Sequence, residues 1–172
     1  MKLPYFLQSL VVNQDAPRMN TKIYIQVGEE DFDPGYEIEQ LRIISDGKAG
    51  AICHFTGVMR NHNLGDIVTA MELEHYPAMT EKSLHGIAAQ ATQRWDLVAI
   101  RIIHRVGMLY PGDHIVQVAC ASTHRKNSFH ATEFMMDYLK TQAPFWKKEH
   151  TKNGNRWVDA RETDSAAMEQ WQ

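Results

Sequence analysis

Cysteine is scarce in this sequence: two in 172 residues, Cys53 and Cys120, each inside an apolar, strand-like run. Two thiols cannot build a disulfide framework, so a reducing, cytoplasmic setting is expected, with each thiol buried and inert. A long hydrophobic run is also missing. Met1-Lys2-Leu3-Pro4 leads into interrupted apolar residues as far as Val12, too short for a membrane span and unlike an export signal. A large excess of one sign of charge is missing as well, the net being −3 at pH 7; with no recognition motif, that argues against nucleic acid or a membrane surface as partner. There are nine histidines but no His-x-x-x-His or paired-Cys spacing, so no metal site is expected.

What is present suits an ordinary globular domain, with 44% hydrophobic and 23% charged residues. Met19 stands directly before the first strand-like run, so residues 1–20 read as a disordered N-terminal extension and 21–172 as one domain. Thr21–Val27 alternates as a strand does, and Tyr36–Ile44 has helical spacing that stops at Asp46-Gly47. Gly50–Met59 and Ile67–His75 read as paired strands around a polar loop, Arg60–Asp66. Pro77 starts a long helix with Met79, Leu84, Ile87, Ala88, Ala91 and Trp95 on its apolar face. Leu97–Val106 and His114–Ser122 read as an antiparallel pair joined by a turn over Gly107–Asp113. Ser122 or Thr123 can cap a second long helix reaching Gln142, closed by Pro144. Asn153-Gly154 marks a hairpin turn, and a short helix ends the chain. Strands and helices intermixed without repeats predict an α/β (α+β) fold on a mixed, largely antiparallel sheet.

Positive charge concentrates in one place. From His124 to Lys148 the cations are Arg125, Lys126, Lys140, Lys147 and Lys148, against Glu133 and Asp137, while the rest of the chain is net acidic. His124-Arg125 falls at a helix start, where free N–H groups already favour an anion. Lys140 lies one turn beyond Met136, and Lys147 follows the Pro144 break, so the bend can aim both amines into one cleft. Converging ammonium groups repel, and partial burial favours the neutral amine, giving a proton acceptor beside an oxyanion-stabilising cation. A single helix lysine is ordinarily just solvated; the constellation carries the reading. Arg60, in an adaptable loop at a strand end, can meet a carboxylate or phosphate. A non-enzymatic module binding a phosphorylated ligand or an acidic tail in the same cleft is the alternative.

Five blocks, Phe55-Thr56-Gly57-Val58-Met59-Arg60, Leu73-Glu74-His75-Tyr76-Pro77, His104-Arg105-Val106-Gly107, Ser122-Thr123-His124-Arg125 and Pro144-Phe145-Trp146-Lys147-Lys148-Glu149, together with Met136-Asp137-Tyr138-Leu139-Lys140, resemble the large, catalytic subunits of molybdopterin synthase. The likeness runs from about residue 21 to the C-terminal end. It implies an α/β hammerhead fold, a homodimer, and a small ubiquitin-like partner at each end, making a heterotetramer. It implies a sulfurtransferase with no bound cofactor, in which the partner's C-terminal Gly-Gly thiocarboxylate gives sulfur twice to cyclic pyranopterin monophosphate, forming the molybdopterin dithiolene of molybdenum cofactor biosynthesis. By position, Lys140 and Lys147 are the implied catalytic pair. Val58, Met59, Arg60, Lys147, Lys148 and Glu149 would line the pterin pocket, with His124 and Arg125 of a neighbouring protomer on its phosphate. Phe55, Met136 and Arg161 match further pocket positions.

Overall fold

The computed structural model describes residues 20–158 and 162–171; the extension, apart from Asn20, lies outside them. Strand β1 (Lys22–Gly28) is followed by helix α1 (Pro34–Ile44), β2 (Ala51–Val58), a two-residue β3 (His62–Asn63), β4 (Asp66–His75) and α2 (Pro77–Arg94). Then come β5 (Leu97–Arg105), β6 (Gly107–Leu109), β7 (His114–Ser122), α3 (Arg125–Gln142), β8 (Phe145–Thr151), β9 (Gly154–Val158) and α4 (Glu162–Glu169).

The strands form two sheets. The first runs β1-β5-β7-β2, with β1 parallel to β5 and the other pairs antiparallel. The second runs β3-β4-β8-β9, with β6 also on β4, and is antiparallel throughout. Strand alternation divides the core of the first sheet. Ile100, Ile102, Val116, Val118 and Cys120 face α2 and α3, where Leu84, Ile87, Phe134 and Met135 meet them, all 5% exposed or less. Ala99, Ala119 and Ala121 face α1 and Leu41. On that side Arg101 pairs with the buried Glu37, and the Gln117 amide donates to the Pro34 carbonyl at 3.2 Å, so the thin alanine layer is edged by polar anchors. No described helix is long and apolar enough to cross a membrane.

Local chemistry explains the element ends. The Asp33 carboxylate accepts from the N–H groups of Gly35 and Tyr36, capping α1; the helix stops where Asp46 and Gly47 take φ of 51° and 70°. Four expectations need correction. The strands around Arg60–Asp66 do not pair: β2 pairs β7, and after a register shift at Gly57/Val58 the chain leaves for the second sheet. Gly107–Asp113 is more than a turn, because Gly107, at φ 76°, redirects the chain so that β6 pairs with β4. The cap of α3 is His124, whose side chain makes no capping bond; the Ser122 hydroxyl instead donates to the Asp96 carbonyl and accepts from the His124 N–H. Met79 is 59% exposed, one residue off the buried stripe Thr80, Leu84, Ile87, Ala88 and Ala91.

Gly50 sits where β2 passes the entry to α3. A Cβ there would lie 2.3 Å from the Thr123 carbonyl oxygen, a backbone atom that can yield only by moving the helix entry. Gly50→Ala is expected to cost about 2–3 kcal/mol, read as a fall of several degrees in melting temperature; an unchanged melting temperature would contradict this packing.

Candidate active site

Three segments from different parts of the chain enclose one cavity of about 600 Å³. The end of β2 and the turn after it supply Phe55, Val58, Met59 and Arg60; the last turns of α3 supply Met136, Leu139 and Lys140; β8 supplies Phe145, Lys147 and Glu149. The β3 hairpin adds His62 and Asn63, and His104 closes the wall from β5. The two lysines converge as the bend at Ala143-Pro144 led us to expect. Ala143 ends α3 with extended backbone, and the carbonyls of Gln142 and Pro144 accept from the hydroxyls of Ser83 and Thr80 on α2, which fixes where β8 begins.

Alternation along β8 then sorts the side chains. Lys147 stands opposite Leu73 of β4 and Glu149 opposite Met71, and all four line the cavity. Lys148 points the other way: its Nζ lies 3.8 Å from a Glu72 carboxylate oxygen and 5.5 Å from the Trp157 ring centroid. Lys148 therefore does not join the wall of its own chain. His124 and Arg125 stand at the opposite end of α3, with about 22 Å of helix axis between Arg125 and Lys140 at about 1.5 Å per residue; neither lines the cavity. Arg161 lies outside the described residues.

Neither cysteine lines the cavity. Burial pushes the Cys120 thiol up to about 12, and it donates to the Ser128 carbonyl at 3.2 Å. Such a thiol is inert at neutral pH. The wall therefore offers Arg60, Lys140 and Lys147, a set suited to an anion and to charge developing on oxygen.

Glu149, expected at the pterin wall, lines the cavity, but two features of that wall escaped sequence reasoning. One is the pairing of Glu149, which is 4% exposed and has both oxygens occupied by Asn63 and Arg156. The sequence signal available was the strand spacing that sets Arg156 across from Glu149. The other feature is His104, 5% exposed, hidden in the apolar run Ile102-Ile103-His104. Its ring stacks on Phe145 with centroids 3.7 Å apart and planes 13° apart, while Nδ1–H donates to the Arg105 carbonyl at 2.7 Å. Burial holds its pKa down at about 4, with His75 adding a smaller push. His104 is a neutral imidazole at physiological pH.

Comparison with known proteins fits this geometry. The MoaE protein family matches over residues 27–142. The chain belongs to the MoaE family. A molybdopterin synthase catalytic subunit from Haemophilus influenzae is 50% identical over 151 residues, 88% of this chain and 99% of that one. The structure of the molybdopterin biosynthesis MoaE protein from Burkholderia ambifaria superposes with a TM-score of 0.74 at 51% identity, covering 87% of this chain and 97% of that one. At 20% identity, a protein–protein complex of subunits 1 and 2 of molybdopterin-converting factor from Helicobacter pylori shares the fold, with a TM-score of 0.64 over 81% of this chain and 91% of that one. MoaE membership bears out the expected fold class and the expected role, an enzyme acting as a catalytic subunit of molybdopterin synthase in molybdenum cofactor biosynthesis.

The depressed His104 pKa links stability to pH. The unfolded imidazole takes up a proton near its ordinary 6.5, while the folded one resists until about 4. Stability attributable to His104 is thus complete above pH 6.5 and is lost as pH falls toward 4, by about 3 kcal/mol. Urea unfolding at pH 7 and pH 4.5 should show a smaller acid loss in His104→Phe than in the parent; equal losses would contradict the assignment.

Proposed function

We propose that this cavity catalyses sulfur transfer from the C-terminal Gly-Gly thiocarboxylate of a small ubiquitin-like subunit to cyclic pyranopterin monophosphate, twice, building the dithiolene of molybdopterin. The observation that carries the reading is that Lys140 and Lys147, distant in sequence, share one cavity with Arg60 in a chain whose relatives are named molybdopterin synthase catalytic subunits. Sulfur comes from the partner, and no cofactor is required of this chain; an inert Cys120 outside the cavity supports an external sulfur source.

In each transfer the thiocarboxylate sulfur replaces an oxygen on a side-chain carbon of the pterin: a C–S bond forms as a C–O bond breaks, the oxygen leaving once with the opening cyclic phosphate and once as water, and an acyl–sulfur link to the partner remains. Water then cleaves that link, freeing a carboxylate on the partner and leaving sulfur on the product. Oxyanion charge develops in the cleavage step, and an ammonium group at Lys140 or Lys147 stabilises it while the pair relays protons. Arg60, with the backbone of Val58 and Met59, holds the anionic pterin, and Phe55 and Met136 supply the apolar wall. His124 and Arg125 reach the phosphate from a second copy, because within one chain they lie at the far end of α3. The assembly is a homodimer carrying one small subunit at each end, a heterotetramer of the cytoplasm; the two-subunit complex from Helicobacter pylori supports a partner of this kind.

Incubation with a thiocarboxylated ubiquitin-like subunit and cyclic pyranopterin monophosphate, followed by assay of molybdopterin, tests the reading. Product is expected, and Lys140→Ala and Lys147→Ala should each lower turnover by about a hundredfold or more with folding intact. Binding without product would leave only a ligand-binding module, and undiminished turnover in both variants would overturn the catalytic assignment of the lysines.

A further inference from the structure

Glu149 poses a problem for a site that takes anions. It is a buried carboxylate facing the same cavity as Lys140 and Lys147, and an uncompensated charge there would repel a phosphate and oppose the thiocarboxylate. The hydrogen bonds around it resolve the conflict. One oxygen accepts from the Asn63 amide at 2.7 Å, and the other from Nε and Nη2 of Arg156 at 3.1 and 3.0 Å. Arg156 stands directly opposite Glu149 in the β8–β9 register, so both side chains share the cavity face of the second sheet.

The same guanidinium reaches further. Nη2 donates to the Asn63 carbonyl at 2.9 Å and Nη1 to an Asp66 carboxylate oxygen at 2.6 Å, binding both ends of the β3–β4 turn. One side chain thus joins β9, β8 and the hairpin bearing His62 and Asn63, itself only two residues beyond Arg60. Its hydrogen bonds to Glu149, then to Asp66, raise the affinity of Arg156 for its proton, so the charge is permanent.

We infer that Arg156 is a positioning residue of the anion site, cancelling the Glu149 charge inside the cavity, while its bonds to Asn63 and Asp66 hold the guanidinium against that carboxylate. This rests on the sulfur-transfer reading above. Arg156 acts through Glu149 and Asn63 on the substrate's binding, while the lysines that act on the reacting atoms are left in place. Loss of Arg156 therefore weakens substrate binding more than it slows chemistry.

Steady-state kinetics in cyclic pyranopterin monophosphate, with the thiocarboxylated partner saturating, separate these roles. Arg156→Ala should raise KM about tenfold or more with kcat within about threefold of the parent. Adding Glu149→Gln to it should return KM to within about threefold of the parent, because the unpaired carboxylate is gone while the gap at Arg156 remains. An unchanged KM in Arg156→Ala, or a raised KM that the double variant does not recover, would overturn the inference while leaving the sulfur-transfer reading standing; no product from the parent protein would overturn both. Should Arg156→Ala fail to fold, the double variant is expected to fold and to bind substrate as the parent does, and its failure to fold would reduce Arg156 to a scaffold residue and overturn the inference.

Discussion

The antiparallel register of β8 on β4 is the constraint on which the site depends. Side chains on a strand alternate faces, so pairing Lys147 with Leu73 and Glu149 with Met71 decides which of three consecutive charged residues face the cavity. A slip of one residue would bring Lys148 and Trp146 inward and turn Lys147 out toward Glu72. The register is secured from both ends. At the start, Phe145 stacks on His104 and the carbonyls around Pro144 accept from α2 hydroxyls; at the far end, Gly154 at φ 118° allows the turn into β9, with the Thr151 hydroxyl donating to the Gly154 carbonyl.

That strand also joins two structures with different work. The first sheet, sandwiched between α1 on one face and α2 with α3 on the other, is a rigid apolar platform whose helix α3 carries Lys140 in its last turn. The second sheet has a small apolar cluster of its own around Met71, Leu73 and Leu109, and its cavity face also carries Lys147 and the compensated Glu149. Their seam is the cavity. Because an amine from each side meets there, neither sheet alone provides the pair, and the buried cross-links between them fix the separation that chemistry requires.

Much of this was legible in the residues. Alternation in Thr21–Val27 and His114–Ser122, the stop at Asp46-Gly47 and the turn at Asn153-Gly154 all mark elements the fold contains, because local backbone chemistry sets them. The meeting of Lys140 with Lys147 was legible too, since a proline break after a helix leaves few directions for the next strand. The assignment of strands to two sheets was not. Apolar alternation in Gly50–Met59 and Ile67–His75 is the same whether the strands pair with each other or with distant partners, and the decision rests on long-range pairing with β7 and β8. His104 was invisible for a related reason, since a histidine in an apolar run acquires meaning only from its partner Phe145 across the fold, whereas Arg156 could be read only once the hairpin register setting it against Glu149 was fixed.

Differential lysine labelling tests the central claim most directly. The protein, with its sulfur-carrying partner, is treated with an amine-acylating reagent with and without cyclic pyranopterin monophosphate, and each lysine's modification is measured by mass spectrometry. The register on β4 predicts that substrate protects Lys140 and Lys147 together and leaves Lys148 unchanged. Protection of Lys148 in place of Lys147, or of neither cavity lysine, would contradict a site built from that strand face.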